Sequence, residues 1–124
     1  MAMAWTDSAK YPCYAALLTR LDQGAGRASL KIFSATTDEL ARVYLDDPAA
    51  PYSHVPLVLT FDAAVSADLT GTADHASLVA ADGVVMATNI PCQQGTEPVS
   101  GKVILTTLLI VAGTAVQGVS FNIT

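Results

Sequence analysis

Positive charge is the scarcest ingredient of this chain. Of its six basic residues, Lys10, Arg20, Arg27, Lys31 and Arg42 precede position 43, and beyond them only Lys102 opposes seven carboxylates. Binding DNA or RNA needs a basic stripe that neutralises phosphates, so no nucleic-acid partner is expected. Charge of either sign is thin, at 14% of residues against about 25% in an average soluble domain. Cysteine is nearly as rare. Cys13 and Cys92 lie 79 positions apart, without the close CxxC spacing of a zinc or redox site. They read as two reduced, partly buried thiols, or as a disulfide within the chain or between subunits if the protein meets an oxidising environment.

Catalytic signatures are missing too. The chain has no GxSxG elbow, Walker loop, HExxH helix or EF-hand loop. Its two histidines are His54, in a proline-rich stretch, and His75, which follows Asp74. Neighbouring residues of a strand point to opposite faces, so Asp74 and His75 are not expected to converge on one ligand, and His75 reads as a surface or interface residue. Asp46 and Asp47, before Pro48, read as a solvated turn rather than a calcium site. No catalytic residue, metal or cofactor is expected, and the chain does not read as an enzyme.

A long hydrophobic run is likewise absent, although the C-terminus imitates one. Residues 102–124, KVILTTLLIVAGTAVQGVSFNIT, carry no charge after Lys102, but the uninterrupted apolar part covers only 14 residues, Val103 to Val116. A membrane-spanning helix needs about 20. Gly113 and Thr114 interrupt the run as a turn would, and its Val, Ile and Thr content suits a pleated surface. The stretch is read as two strands joined at Ala112-Gly113-Thr114, with no membrane anchor. The N-terminus, MAMAWTDSAKYPCYAALL, lacks a basic start leading into an apolar core and cleavage site, so synthesis in a cytoplasm is expected.

What is present is a change of period. Residues 1–13 read as an irregular arm in which Trp5 and Tyr11 dock on this domain or on a neighbouring subunit. YAALLTRLDQGAG reads as one short helix, with Tyr14, Leu17, Leu18 and Leu21 on one face and Gly24 and Gly26 ending it. From Ala28 the period is two. Leu30 and Ile32 oppose Lys31 and Phe33, and Val43 to Leu45 are extended. Residues 46–56, with three prolines in eleven positions, form a loop that carries Tyr52 and His54. Leu57, Leu59 and Phe61 alternate in the next strand. Strands over Thr72–Ala80 and Val84–Asn89 flank a hairpin turn at Asp82-Gly83, where both central residues can take positive φ. Residues 91–101 read as a polar loop. The sum, about seven or eight strands with one short N-terminal helix, predicts an all-β fold, an antiparallel β-sandwich over residues 14–124.

Hydrophobic residues make up 52% of the chain, more than such a core consumes. Exposed apolar patches mark association sites, and the later strands spend few charges on guarding their edges. Both features point to a homo-oligomer, such as a trimer or another closed ring, or to a place in a larger assembly.

Three stretches, ALLTRLDQGAGRASLKIFSAT, SADLTGTADHASLVAADGVVMATNI and TTLLIVAGTAVQGVSFNIT, together resemble a family of small virion proteins of tailed bacteriophages and prophages. Members open with a short helix, continue into an L-K-I-[FY]-[ST] strand, and carry ADATGTA-like and STI-VAG-like signatures. The resemblance covers most of residues 15–124 and implies a non-enzymatic β-sandwich on the particle, as a capsid decoration protein or a collar component at the head–tail junction. Its implied partners are major capsid, connector or tail proteins, and its implied location is the virion. The long aromatic arm and the two cysteines depart from the family pattern. They suggest a clamp to a neighbour, with Trp5, Tyr11, Tyr52 and His54 as contacts and Cys13 or Cys92 as a covalent staple. A receptor- or carbohydrate-binding module of a tail or fibre is the alternative, with Tyr44, Tyr52, Phe61 and Phe33 as the aromatics on which a sugar would stack.

Overall fold

The computed structural model describes residues 6–24, 26–46, 57–59, 61, 67–97, 99, 101–114, 116 and 119–123. The described residues form one helix, α1 (Asp7–Leu21), followed by nine strands: β1 (Ser29–Phe33), β2 (Glu39–Tyr44), β3 (Leu57–Leu59), β4 (Gly71–Thr72), β5 (His75–Val79), β6 (Val85–Gln94), β7 (Val103–Leu105), β8 (Leu109–Ile110) and β9 (Ser120–Ile123). The expectation of a mostly β chain with one short helix holds. The helix begins earlier than the sequence suggests, which shortens the expected arm. Thr6 caps it, its Oγ1 accepting from the Ala9 N–H at 3.4 Å, and α1 runs through Pro12. Proline in a helix removes one i→i−4 bond and normally breaks the element. Here Pro12 is exposed, and the cap before it and the buried Tyr14 and Leu21 after it hold the helix on both sides.

The helix ends against the β5–β6 hairpin. Ala81 N–H donates to the Leu21 carbonyl at 2.8 Å, and Arg20 Nη1 lies 2.9 Å from Asp82 Oδ2. The Val84 N–H also donates to Asp82 Oδ1 at 3.1 Å. That backbone bond, with Arg20 adding to it, holds the Asp82 carboxyl below its ordinary pKa. Gly24 completes the latch. Its φ is 131°, and a Cβ there would stand 2.8 Å from the Asp82 backbone nitrogen. The hairpin turn differs in type from the expected one. Gly83 N–H donates to the Ala80 carbonyl and Ala80 N–H to the Val84 carbonyl, both at 2.9 Å, and only Gly83, at φ 91°, is in the left-handed region. This is a three-residue loop in which glycine closes a type I turn, not the two-residue form in which both positions need positive φ.

Seven strands form one sheet in the order β2-β1-β5-β6-β7-β9-β3, and β4 pairs with β8 in a second, two-stranded sheet. The expected antiparallel sandwich is corrected here, because the large sheet is mixed and curls on itself. β6 and β7 are parallel, with Cys92, Gln93 and Gln94 opposite Val103, Ile104 and Leu105. Parallel neighbours usually need a long crossover, but a ladder this short lets residues 95–102 make the return. β6 is long enough to serve two partners because it bends. Its ladder with β5 shifts register twice, and Asn89 has a φ of 54°, as expected where a bulge re-aims a strand. The bend carries the strand past Pro91 to Gln94, through residues expected to be loop. Curling is completed by an antiparallel bridge between Leu45, just after β2, and Phe61, just after β3. β2 and β3 are the outermost strands of the sheet, so its two edges meet there.

The alternation of β1 is as expected. Leu30 and Ile32 are buried while Lys31 and Phe33 are half-buried, and Leu30, Ile32, Val43, Leu57, Leu78 and Leu105 belong to one continuous core. All three residues of β7 are buried, which explains why that part of the uncharged run does not alternate. The run does not become a single hairpin, since β7 joins the large sheet and β8 joins β4. The turn at 112–114 is present, with Gly113 at φ 82° and Thr114 N–H donating to the Val111 carbonyl at 3.1 Å.

The two hairpin-side glycines should respond differently to alanine. At Gly83 nothing lies within 4 Å of an added Cβ, so the substitution meets only the left-handed backbone penalty, about 1–2 kcal/mol. Gly24→Ala adds a clash with the Asp82 backbone and should cost about 1–3 kcal/mol more. Urea unfolding of the two variants measures the difference, and equal costs would show that the helix does not rest on the turn.

Candidate functional site

Two places on the molecule gather residues with functional potential, one polar and one apolar. The polar one starts from Asp74, immediately before β5. Its N–H donates to the Phe33 carbonyl at 2.9 Å, and its carbonyl accepts from the Cys92 N–H at 3.1 Å. Asp74 thus ties the end of β1 to the bent half of β6. Not being a strand residue, it escapes the alternation expected to separate it from His75, and the two side chains do meet. Asp74 Oδ2 lies 2.9 Å from His75 Nδ1. Phe33 is directly opposite His75 in the β1–β5 ladder, and the two rings stack with centroids 5.4 Å apart and planes at 20°. The Asp74 side chain is 56% exposed and that of His75 18%. On the same outer face, Arg42 Nε sits 3.5 Å from Glu39 Oε1.

Cys92 borders this cluster. Burial pushes its thiol up to about 12, with the Asp74 carboxylate adding to the rise. The thiolate is the nucleophile, so this is a thiol kept in its unreactive form. The imidazole is thus held in place by the Asp74 carboxylate and the Phe33 ring. Among the described residues, no group of three or more His, Cys, Asp or Glu could hold a metal ion.

The apolar place surrounds the small sheet. The Leu40 carbonyl, beside the β1–β2 register shift, accepts from both the Asp68 and Leu69 N–H groups at 2.9 and 3.1 Å. Ala67 exchanges two backbone hydrogen bonds with residues 113 and 114, and Ala112 N–H donates to Thr70 Oγ1 at 2.9 Å. These bonds lay the segment 67–72 along 109–114. The resulting surface leaves Leu69, Leu109 and Val111 exposed by 49%, 57% and 44%. Beside them runs a groove of about 320 Å³ lined by Thr106, Thr107, Leu109, Ile110, Val111, Thr114 and Val116. Two of its hydroxyls are already engaged, Thr107 Oγ1 accepting from the Leu109 N–H and Thr114 Oγ1 donating to the Val111 carbonyl. None of its described lining residues is charged.

The residues expected to contact partners are dispersed. Tyr11 is on α1 and 42% exposed, while Trp5, Tyr52 and His54 lie outside the described residues. Cys13 is exposed on α1, Cys92 is half-buried, and both are free thiols, so no bond joins them within the chain. The apolar face itself was not localised from sequence. Its signal was the uncharged run, but the partner segment 67–72 lies far away along the chain. No helix among the described residues is long and apolar enough to cross a membrane. No protein-family model, curated protein or solved structure matches the chain.

The two thiols should differ sharply in reactivity. With a pKa of about 12, Cys92 is thiolate in roughly one molecule in ten thousand at pH 8. Iodoacetamide on the folded protein should therefore label Cys13 and leave Cys92 unmodified until denaturant is added, as peptide mass mapping can record. Comparable native labelling of both would overturn the assignment of Cys92 as a sequestered thiol.

Proposed function

We propose that this chain is a non-enzymatic structural subunit that works through protein–protein contact. The observation that carries this reading is the uncharged apolar surface of Leu69, Leu109, Val111 and the adjoining groove. Contiguous exposed apolar surface marks a site of association, and the polar side chains described in its groove are threonines, two of whose hydroxyls are already bonded to the local backbone. The sequence resemblance to small tailed-phage virion proteins gives the setting: a protein made in the host bacterial cytoplasm and assembled onto a particle, decorating the capsid or stabilising the head–tail collar. Its partners in that setting are further copies of itself and capsid, connector or tail proteins. Neither nucleic acid nor membrane is among them.

One observation favours a second reading, a carbohydrate- or receptor-binding module. Phe33 and His75 form a stacked pair beside the exposed Asp74 carboxylate, and aromatic faces with nearby acceptors suit sugars. The stack, however, already occupies one face of each ring, and the Arg42–Glu39 ion pair lies on the same face of the sheet.

The two readings separate by experiment. Mass spectrometry of particles purified from a lysogen or lysate that encodes this chain should find it in multiple copies per particle. Leu109→Asp should reduce its incorporation at least tenfold while the Phe33→Ala variant incorporates normally. Glycan-array binding that depends on Phe33, with no particle-bound protein, would replace the first reading with the second.

A further inference from the structure

We propose that the β4–β8 face is the contact between two copies of this chain, each inserting the exposed leucines 69 and 109 against the groove of the other. The inference rests on the structural reading above and names the partner of that surface. Three features support a second copy as the occupant. The face carries both parts of a self-complementary joint. Leu69 and Leu109, 49% and 57% exposed, are projections, and the groove of about 320 Å³, of which Leu109 forms one wall, is a recess whose described lining is Leu, Ile and Val side chains interspersed with threonines. A cavity of about 150 Å³ lined by aliphatic side chains holds a benzene-sized molecule, so this recess has room for one or two leucine side chains. A surface that meets its own copy about a two-fold axis must present both shapes at once.

Electrostatics selects the same face. Each copy carries a net charge of −5, so two copies repel over most of their surface. From position 103 to 124 no residue carries a charged side chain, and this segment supplies every described residue that lines the groove. Asp68, exposed beside Leu69, is a carboxylate at the rim. Association through this face should therefore strengthen as salt screens the repulsion. A partner held by opposite charge would show the reverse dependence. An anionic bilayer would need basic residues near the patch, and no Lys or Arg occurs between Arg42 and Lys102.

Sedimentation equilibrium of the full chain at 50 mM and 500 mM salt tests the proposal, with circular dichroism and thermal melting as fold controls. Wild type should associate with concentration, more tightly at high salt. Leu109→Asp should weaken the self-association constant by roughly 30-fold or more, as loss of a central anchor does. If that variant does not fold, Leu69→Asp, in the bend before β4, provides the same readout. Val84→Asp is the control, because Val84 is also 49% exposed but follows the hairpin turn at the far end of β5; it should associate like wild type. A monomeric wild type at high concentration overturns the proposal, as does a Leu109→Asp protein that associates normally, or equal weakening by Val84→Asp. Binding of monomeric wild type to phosphatidylcholine vesicles, lost in Leu109→Asp, would reassign the face to lipid. Loss of the copy–copy contact leaves the structural reading standing if Leu109→Asp still fails to enter particles, so the two fail separately.

Discussion

A strand at the rim of a sheet leaves a row of backbone N–H and C=O groups open to any passing strand, and lysine is the usual guard. After Arg42 this chain has one lysine to spend. The pairing of Leu45 with Phe61 removes the need, because it joins the outermost strands, β2 and β3, at their ends. The rest of the architecture follows from that meeting. For the sheet to curl far enough, β6 must bend, and it does so through two register shifts and a left-handed Asn89. The bend in turn frees the second half of β6 to pair with β7 in parallel. Burial of β7 on both faces is what allows Val103, Ile104 and Leu105 to be apolar in succession. Leu45 is fully buried, so the seam is a core contact as well as a backbone one.

Curling also changes the argument for association. Open edges and surplus apolar surface both seemed to call for neighbours when only the sequence was in view. With the edges brought together, the apolar surface alone remains to support it, and Leu69, Leu109 and Val111 form one group of it around β8. The two-stranded β4–β8 sheet has no large sheet of its own to complete. It is held by backbone bonds to Leu40, Leu108 and residues 111–114, which leaves the side chains of Leu69, Leu109 and Val111 outward.

What the sequence made legible was local. The period-two burial of β1 and the turn glycines at 83 and 113 depend on near neighbours along the chain. Three features were hidden because near neighbours mislead. Pro12 and Pro91 suggest breaks, yet helix capping by Thr6 and the bend at Asn89 carry α1 and β6 through them. Asp74 stands one residue outside β5, so strand alternation does not govern it, and its bond to His75 followed from a backbone anchored to Phe33 and Cys92 instead. The curl was hidden for a different reason. It depends on the pairing of residues 45 and 61, and no periodicity within either segment specifies a partner that far along the chain.

The polar cluster and the apolar face differ in how completely the fold itself accounts for them. Around Asp74, the fold uses nearly every group: the backbone N–H and C=O are paired, the carboxylate meets His75, the imidazole rests on Phe33, and the Cys92 thiol is held in its neutral form. Removing any of these would cost the chain structure, which is sufficient reason for their presence. Leu109 is different. At 57% exposure it contributes little to the core, its ladder bond belongs to the backbone, and a serine or threonine there would satisfy the same strand. An exposed leucine in the wall of a groove it shares with Ile110, Val111, Val116 and three threonines, in a stretch without charge, has no role in the isolated fold that a smaller polar residue could not fill. The fold explains where Leu109 stands; the proposed contact with a second copy would explain why it is leucine.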